Sequence, residues 1–96
     1  MKDVDIVSLL SASTKLDLHG MTRDEAKCEL IRLLDLVDVN VKAIEVVHGY
    51  HNGRALRSLV RDEIDQKLVS QKVKIDPSRT LFVLNFNNIG HKNNKI

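Results

Sequence analysis

Two stretches of this chain stop on a His-Gly pair, Leu16-Asp17-Leu18-His19-Gly20 and the run from Val41 through Val46-Val47 to His48-Gly49. That repetition limits the folds available. In an extended strand the period of two sends Leu16 and Leu18 to one face and Asp17 and His19 to the other. One face suits a core, the other suits chemistry. Gly20 permits a sharp exit, and Thr22-Arg23-Asp24-Glu25 behind it reads as a capping box, with Thr22 as N-cap and Glu25 at the third helical position. Ala26, Leu30, Leu33, Leu34 and Val37 then mark one stripe of a helix, while Lys27, Arg32, Asp35 and Asp38 fall largely elsewhere. Met21 and Ala26 are placed to form a hydrophobic staple, and Asn40 to act as a left-handed stop. A helix of this length serves as a crossover. The two runs are therefore expected as parallel neighbours in a right-handed connection, with both His-Gly ends at one edge of the sheet.

Beyond Gly49 the residues Tyr50-His51-Asn52-Gly53 read as a turn, and Leu56, Leu59, Val60, Ile64 and Leu68 as the apolar stripe of a second helix. Arg54, Arg57 and Arg61 fall mostly off that stripe, and Arg57 and Arg61 have Asp65 and other helix carboxylates within reach as ordinary surface partners. Val73 and Ile75 alternate with lysines in a third strand, Asp76-Pro77-Ser78-Arg79 has the residue order of a type I turn, and Leu81 to Phe86 supplies a fourth strand in an antiparallel hairpin. The expected fold is an α+β two-layer sandwich of order β-α-β-α-β-β, with a mixed four-stranded sheet, both helices on one face and the other face at least partly open. Residues 1–14 are a leader in which Val4, Val7 and Leu10 recur at helical spacing, residues 15–86 are the domain, and residues 87–96 are a polar tail expected to be disordered.

Ninety-six residues suffice for one domain with its own core. The only aromatics are Tyr50, Phe82 and Phe86, so an aliphatic core is expected and an aromatic platform for stacking bases is not. The sole cysteine, Cys28, rules out an intramolecular disulfide and leaves a thiolate zinc site short of ligands; it is assigned no role. No run approaches the ~18 apolar residues that span a bilayer, and Asp3 and Asp5 interrupt any signal-peptide core. A cytoplasmic location without a membrane partner is expected. A net charge of +2 fits a nucleic-acid partner without demanding one.

Ligands of open α/β sheets gather beyond the carboxyl ends of parallel strands. Here that edge collects Asp17, His19, Gly20, His48, Gly49, the turn to Gly53, and Arg54 and Arg57 in the opening turn of the second helix. Cations at a helix start oppose the macrodipole unless an anion binds there. Backbone N–H groups and guanidinium groups would hold phosphate oxygens, and a histidine near its ordinary pKa would exchange a proton. Asp17 has two uses that the sequence leaves open, orienting His19 or helping to hold a divalent ion such as magnesium or manganese. An Asp-x-His or a His-Gly alone is commonplace in a strand; the convergence of two such ends is not. His51 reads as a turn residue, and His91 lies in the tail.

These residues resemble the Smr domain, the small MutS-related domain. The resemblance rests on Leu16-Asp17-Leu18-His19-Gly20 with Glu25-Ala26, and on Val46-Val47-His48-Gly49 with Gly53, Leu56 and Arg57. It implies a fold like the C-terminal domain of bacterial translation initiation factor three, nucleic-acid binding, and an endonuclease that nicks DNA or cleaves RNA. The family's first motif maps onto Asp17, His19 and Gly20 and its second onto His48, Gly49, Gly53 and Arg57. With Arg54 added from its place at the rim, Asp17, His19 and His48 are the expected catalytic residues and Gly20, Gly49, Gly53, Arg54 and Arg57 the expected phosphate contacts. The family's second motif usually runs His-Gly-x-Gly-x-Gly-x-Leu-Arg, whereas this chain has His51 at the middle glycine and one more residue between Gly53 and Leu56. A glycine-rich segment before the last strand is replaced by Asp76-Pro77-Ser78-Arg79, and no nucleotide-binding phosphate loop is present. A binding module without catalysis and a protein-interaction adaptor using residues 1–14 and the open sheet face are the competing readings.

Overall fold

The computed structural model describes residues 6–49 and 54–88. A short helix α1 (Ile6–Ser11) leads into β1 (Ser13–Asp17); α2 (Arg23–Leu36) connects to β2 (Ala43–Val47). Helix α3 (Arg54–Ser58) runs on into a π-helical turn (Leu59–Glu63), and the hairpin β3 (Val69–Asp76) and β4 (Arg79–Leu84) completes the sheet. The strand order is β1-β2-β4-β3, with β1 parallel to β2 and the two other pairings antiparallel. This is the expected mixed α+β sheet. No helix among the described residues is long and apolar enough to cross a membrane.

The capping box of α2 is complete. Glu25 N–H donates to Thr22 Oγ1 at 3.1 Å, and Thr22 N–H donates to Glu25 Oε1 at 3.0 Å. Two orphan donors are satisfied reciprocally, while Asp24 and Glu25 complement the positive end of the helix dipole. Ala26, Leu30 and Leu34, at four-residue spacing, are the buried face. They join Leu56, Leu59, Val60 and Ile64 of the second helical segment against Ile44, Val46, Phe82 and Leu84 of the sheet. The register pairs Ile44 with Phe82, so these large side chains stand on one face of the two central strands. Both helices cover that face. Each fully buried residue of this size contributes about 1.5–3 kcal/mol relative to exposure.

Ala43 and Leu81, also fully buried, belong to the opposite face and lie outside that cluster. Helix α1 packs against β1 and β2, with Leu9 and Leu10 half-buried and Val7 exposed. The region of residues 1–14 with helical spacing thus forms a short helix from Ile6. Its last part is strand: β1 starts at Ser13, inside the stretch expected as leader. The remainder of that segment, residues 1–5, lies outside the described residues, as do the turn 50–53 and most of the tail.

Three local expectations are corrected. Asn40 is no left-handed stop, because no described residue except glycine has a positive φ. Helix α2 ends earlier, where Val37 turns extended (φ −67°, ψ 142°) and its N–H still donates to Leu33 O; Asp38 Oδ1 then accepts from Asn40 N–H and organises the turn. The second helix stops at Glu63 rather than reaching Leu68, since Ile64 is extended (φ −74°, ψ 120°). The freed carbonyls of Arg61 and Ile64 are taken by the Lys72 ammonium from β3, a cation at a helix C-terminus. Leu68 is nevertheless buried, in the turn before β3. Finally, β4 ends at Leu84, and Phe86 opens a single 3₁₀ turn.

Replacing Thr22 by Ala removes one half of the capping box, and the expected loss is about 1 kcal/mol. Urea denaturation should show a lower midpoint with an unchanged slope, because the surface exposed on unfolding is the same.

Candidate nucleic-acid interface

Parallel pairing brings the two His-Gly ends together. Asp17 is opposite Val47 in the register, and Leu18 N–H donates to Val47 O at 2.7 Å one residue further on. A Cβ built on Gly49 would sit 3.3 Å from His19 Cβ, so the exit of β2 lies directly against the exit of β1. Both exits require glycine: Gly20 has φ 89° and Gly49 has φ 88°. At Gly49 the left-handed backbone and the close approach of His19 coincide.

On the exposed side of this rim, Asp17 and His19 form a pair. Asp17 Oδ1 accepts from His19 N–H at 3.1 Å and from His19 Nδ1–H at 3.0 Å. Their side chains are 53% and 71% exposed, so the pair meets solvent while its internal geometry is fixed. The backbone hydrogen bond from His19, followed by that from its ring, holds the Asp17 carboxyl below the usual carboxylate range. With Nδ1 occupied by the carboxylate, Nε2 is the ring nitrogen left to face a ligand. Of the two uses left open for Asp17, its geometry is that of an orienting group.

His48 is placed differently. It is 1% exposed and lies beneath the rim rather than on it. Its Nδ1–H donates to Gly49 O at 3.2 Å, and its Nε2 is 3.0 Å from the Thr80 hydroxyl, itself fully buried. Burial, with the positive charges of Arg61 and Arg57 adding to it, lowers the His48 pKa, while the bond to Gly49 O works the other way. The tip of the hairpin clamps the same strand end: Ser78 O accepts from His48 N–H at 2.9 Å and Gly49 N–H at 3.1 Å.

Arg61 is not paired with Asp65 or another helix carboxylate. The π-helical turn aims it inward, where Nε donates to Thr80 Oγ1 at 2.6 Å and one terminal nitrogen donates to Asp76 O at 2.7 Å and Arg79 O at 3.1 Å. Arg57 is half-buried and Arg54 exposed, both in α3, and no carboxylate of the described residues forms an ion pair with either. Arg79, by contrast, is held by Glu45 and Asp76 at 2.8–2.9 Å. Gly53 lies outside the described residues. From the sequence Arg61 reads only as a surface charge and Ser78 only as a turn residue, and Thr80 was not singled out. Thr80 did leave a signal there, a hydroxyl on the same row of β4 as Phe82 and Leu84.

Among the described residues no three His, Cys, Asp or Glu side chains converge as metal ligands. Asp17 alone, already engaged by His19, offers a single carboxylate, so a magnesium or manganese ion here would take most of its ligands from water and phosphate oxygens.

A mixed four-stranded sheet of this order, covered on one face by two helices, defines the class of domain. The chain belongs to the Smr domain family, whose model matches residues 16–79, and that family is associated with nucleic-acid binding and nuclease activity. The fold is similar to the crystal structure of the Smr domain of Thermus thermophilus MutS2, with a TM-score of 0.59 and 23% identity over 75% of this chain and 98% of that one. Comparison with the curated proteins returns no match.

The buried His48 gives stability a pH dependence of definite sign. The folded ring resists a proton that an unfolded histidine accepts near pH 6.5, so just below that pH the unfolded chain binds more protons. Stability is full above about pH 6.5 and falls as the pH drops through it. Urea denaturation between about pH 7.5 and 5.5 should reveal this loss, and His48→Asn should show a smaller pH dependence over the same range.

Proposed function

We propose that this protein binds nucleic acid at the rim and cleaves a phosphodiester bond there. The observation that carries the reading is the aspartate-oriented His19, exposed at the point where two strand exits abut. His19 Nε2 would take the proton of the attacking hydroxyl, from water or from a ribose 2′-OH, as that oxygen bonds to phosphorus. The bond from phosphorus to the departing oxygen breaks, and the protonated ring or a water returns the proton to it. Asp17 keeps the ring in the required tautomer and stabilises the imidazolium. Arg54 and Arg57, without carboxylate partners among the described residues, would hold phosphate oxygens. His48 and Gly49 act from below, by setting where His19 stands. Gly20 enters as the loop residue that lets the backbone approach the ligand.

A binding module without chemistry is the second reading. It is favoured by the wide exposure of the Asp17–His19 pair, which leaves water unexcluded from the reacting position.

The test is cleavage of labelled single-stranded, duplex and branched DNA and RNA, with and without divalent metal. His19→Ala is expected to lose 10²–10⁴-fold in rate with binding nearly intact, the range typical of a positioned acid or base; Asp17→Asn is expected to fall between parent and His19→Ala. Cleavage by His19→Ala equal to that of the parent would exclude the catalytic reading. Binding to duplex DNA should weaken with salt by about 0.9 log units per log unit for each phosphate neutralised, and a flat salt dependence would exclude both readings.

A further inference from the structure

A single hydroxyl joins the second helix to the rim. Thr80 Oγ1 lies between Arg61 Nε at 2.6 Å and His48 Nε2 at 3.0 Å. The direction of each bond follows from what the atoms can do. A guanidinium only donates, so Thr80 Oγ1 accepts from Arg61. Gly49 O only accepts, so His48 Nδ1 carries a proton. In a neutral ring Nε2 is then bare, and the Thr80 hydroxyl hydrogen must point to it. The alternative, a protonated ring, would set a cation beside Arg61 and Arg57 in a buried place and leave the Thr80 hydrogen without an acceptor. Asp76 is the carboxylate whose charge opposes this, and its own oxygens are already taken by Arg79 and Ser78.

The other arm of Arg61 closes the circuit. By donating to the Asp76 and Arg79 carbonyls it grips both strands of the hairpin beside the turn whose Ser78 O binds His48 N–H and Gly49 N–H. One guanidinium therefore governs the ring of His48 through Thr80 and its backbone through Ser78. Gly49, in turn, abuts His19.

We propose that Arg61 is a positioning residue for the rim: through Thr80 it holds His48 as the neutral ring protonated on Nδ1, and so fixes the β2 exit against which His19 is placed. The consequence for cleavage rests on the functional reading above; the tautomer and its dependence on Arg61 do not.

The test uses the full chain, labelled with ¹⁵N in its histidines, and reads both ring nitrogens of His48 by NMR. The parent is expected to show the single Nδ1–H tautomer. Arg61→Met and Thr80→Val should each convert it to a mixture containing the Nε2–H form, and in Arg61→Met the titration midpoint should move up toward the ordinary value of about 6.5. Thr80→Ser keeps the hydroxyl and should restore the parent tautomer. If Arg61→Met does not fold, Arg61→Lys, which keeps the charge but not the multiple donation, gives the same readout. With oligonucleotide substrate, the Arg61 variant should lose on the order of 10–100-fold in kcat with KM unchanged, as expected for a misplaced rather than a missing catalytic group. A folded Arg61 variant whose His48 tautomer and His19 signals match the parent would overturn the proposal. Variants that shift the tautomer in a protein that neither binds nor cleaves nucleic acid support the positioning role and overturn the functional reading alone.

Discussion

Parallel pairing of β1 with β2 is the constraint from which the rest of the molecule follows. Two strands joined by a crossover helix must run in the same direction, so whatever residues end them end up side by side. The chain uses this twice over: Leu18 N–H continues the ladder onto Val47 O, and Gly49 then has room to lie against His19 because it has no side chain. Strand β4, antiparallel to β2, brings the hairpin turn to the same edge, where Ser78 O accepts from two backbone N–H groups. Three chain segments far apart in sequence thus share one rim.

The two faces of that rim are electrostatically unlike. On the open face the row Asp17, Val47, Arg79, Asp76 crosses the four strands in register. Arg79 is closed there by Glu45 and Asp76, and hydrogen bonding to Arg79 draws Asp76 down to about 2. That cluster is internally compensated. On the helix side, Arg61 has turned its donors to a hydroxyl and two carbonyls, none of which carries a formal charge, so its positive charge is left uncancelled by the groups it touches. Arg54 and Arg57, in the opening helix of the second helical segment, have no ion-pair partner among the described residues, while Asp62 and Asp76 lie near enough to act on the Arg61 charge.

The architecture was legible in the sequence because each of its determinants is local. Leu16 and Leu18 alternate with Asp17 and His19, the capping box announces where α2 begins, and the repeated His-Gly says that two strands end alike. The contact between the two exits follows from crossover geometry. What could not be read is non-local or depends on a small backbone irregularity. His48 looked like a second surface imidazole, yet the hairpin and Thr80 enclose it. Arg61 sits off the apolar stripe of an ideal helix, and only the wider turn from Leu59 to Glu63 brings it inward. Asn40 carries a residue type suited to a left-handed stop, but Val37 had already left the helix and Asp38 supplied the turn.

The π-helical turn has a further consequence for how this domain can vary. Ile64 N–H reaches back five residues to Leu59 O, one more than an α-helix allows, so the segment holds one residue beyond what an α-helical turn would need. Loss of one residue between Leu59 and Glu63 would let the helix close to an ordinary α-helical turn, and because the wide turn already absorbs one residue's rotation of roughly 100°, the two flanks would keep their relative direction. The apolar contacts of Leu56 and those of Ile64 would then still fit a single cylinder, and the change would fall on Arg61, whose inward aim depends on the wide turn. A one-residue change of length in this short stretch would therefore be registered first by the polar grip on the hairpin and only afterwards by the apolar core.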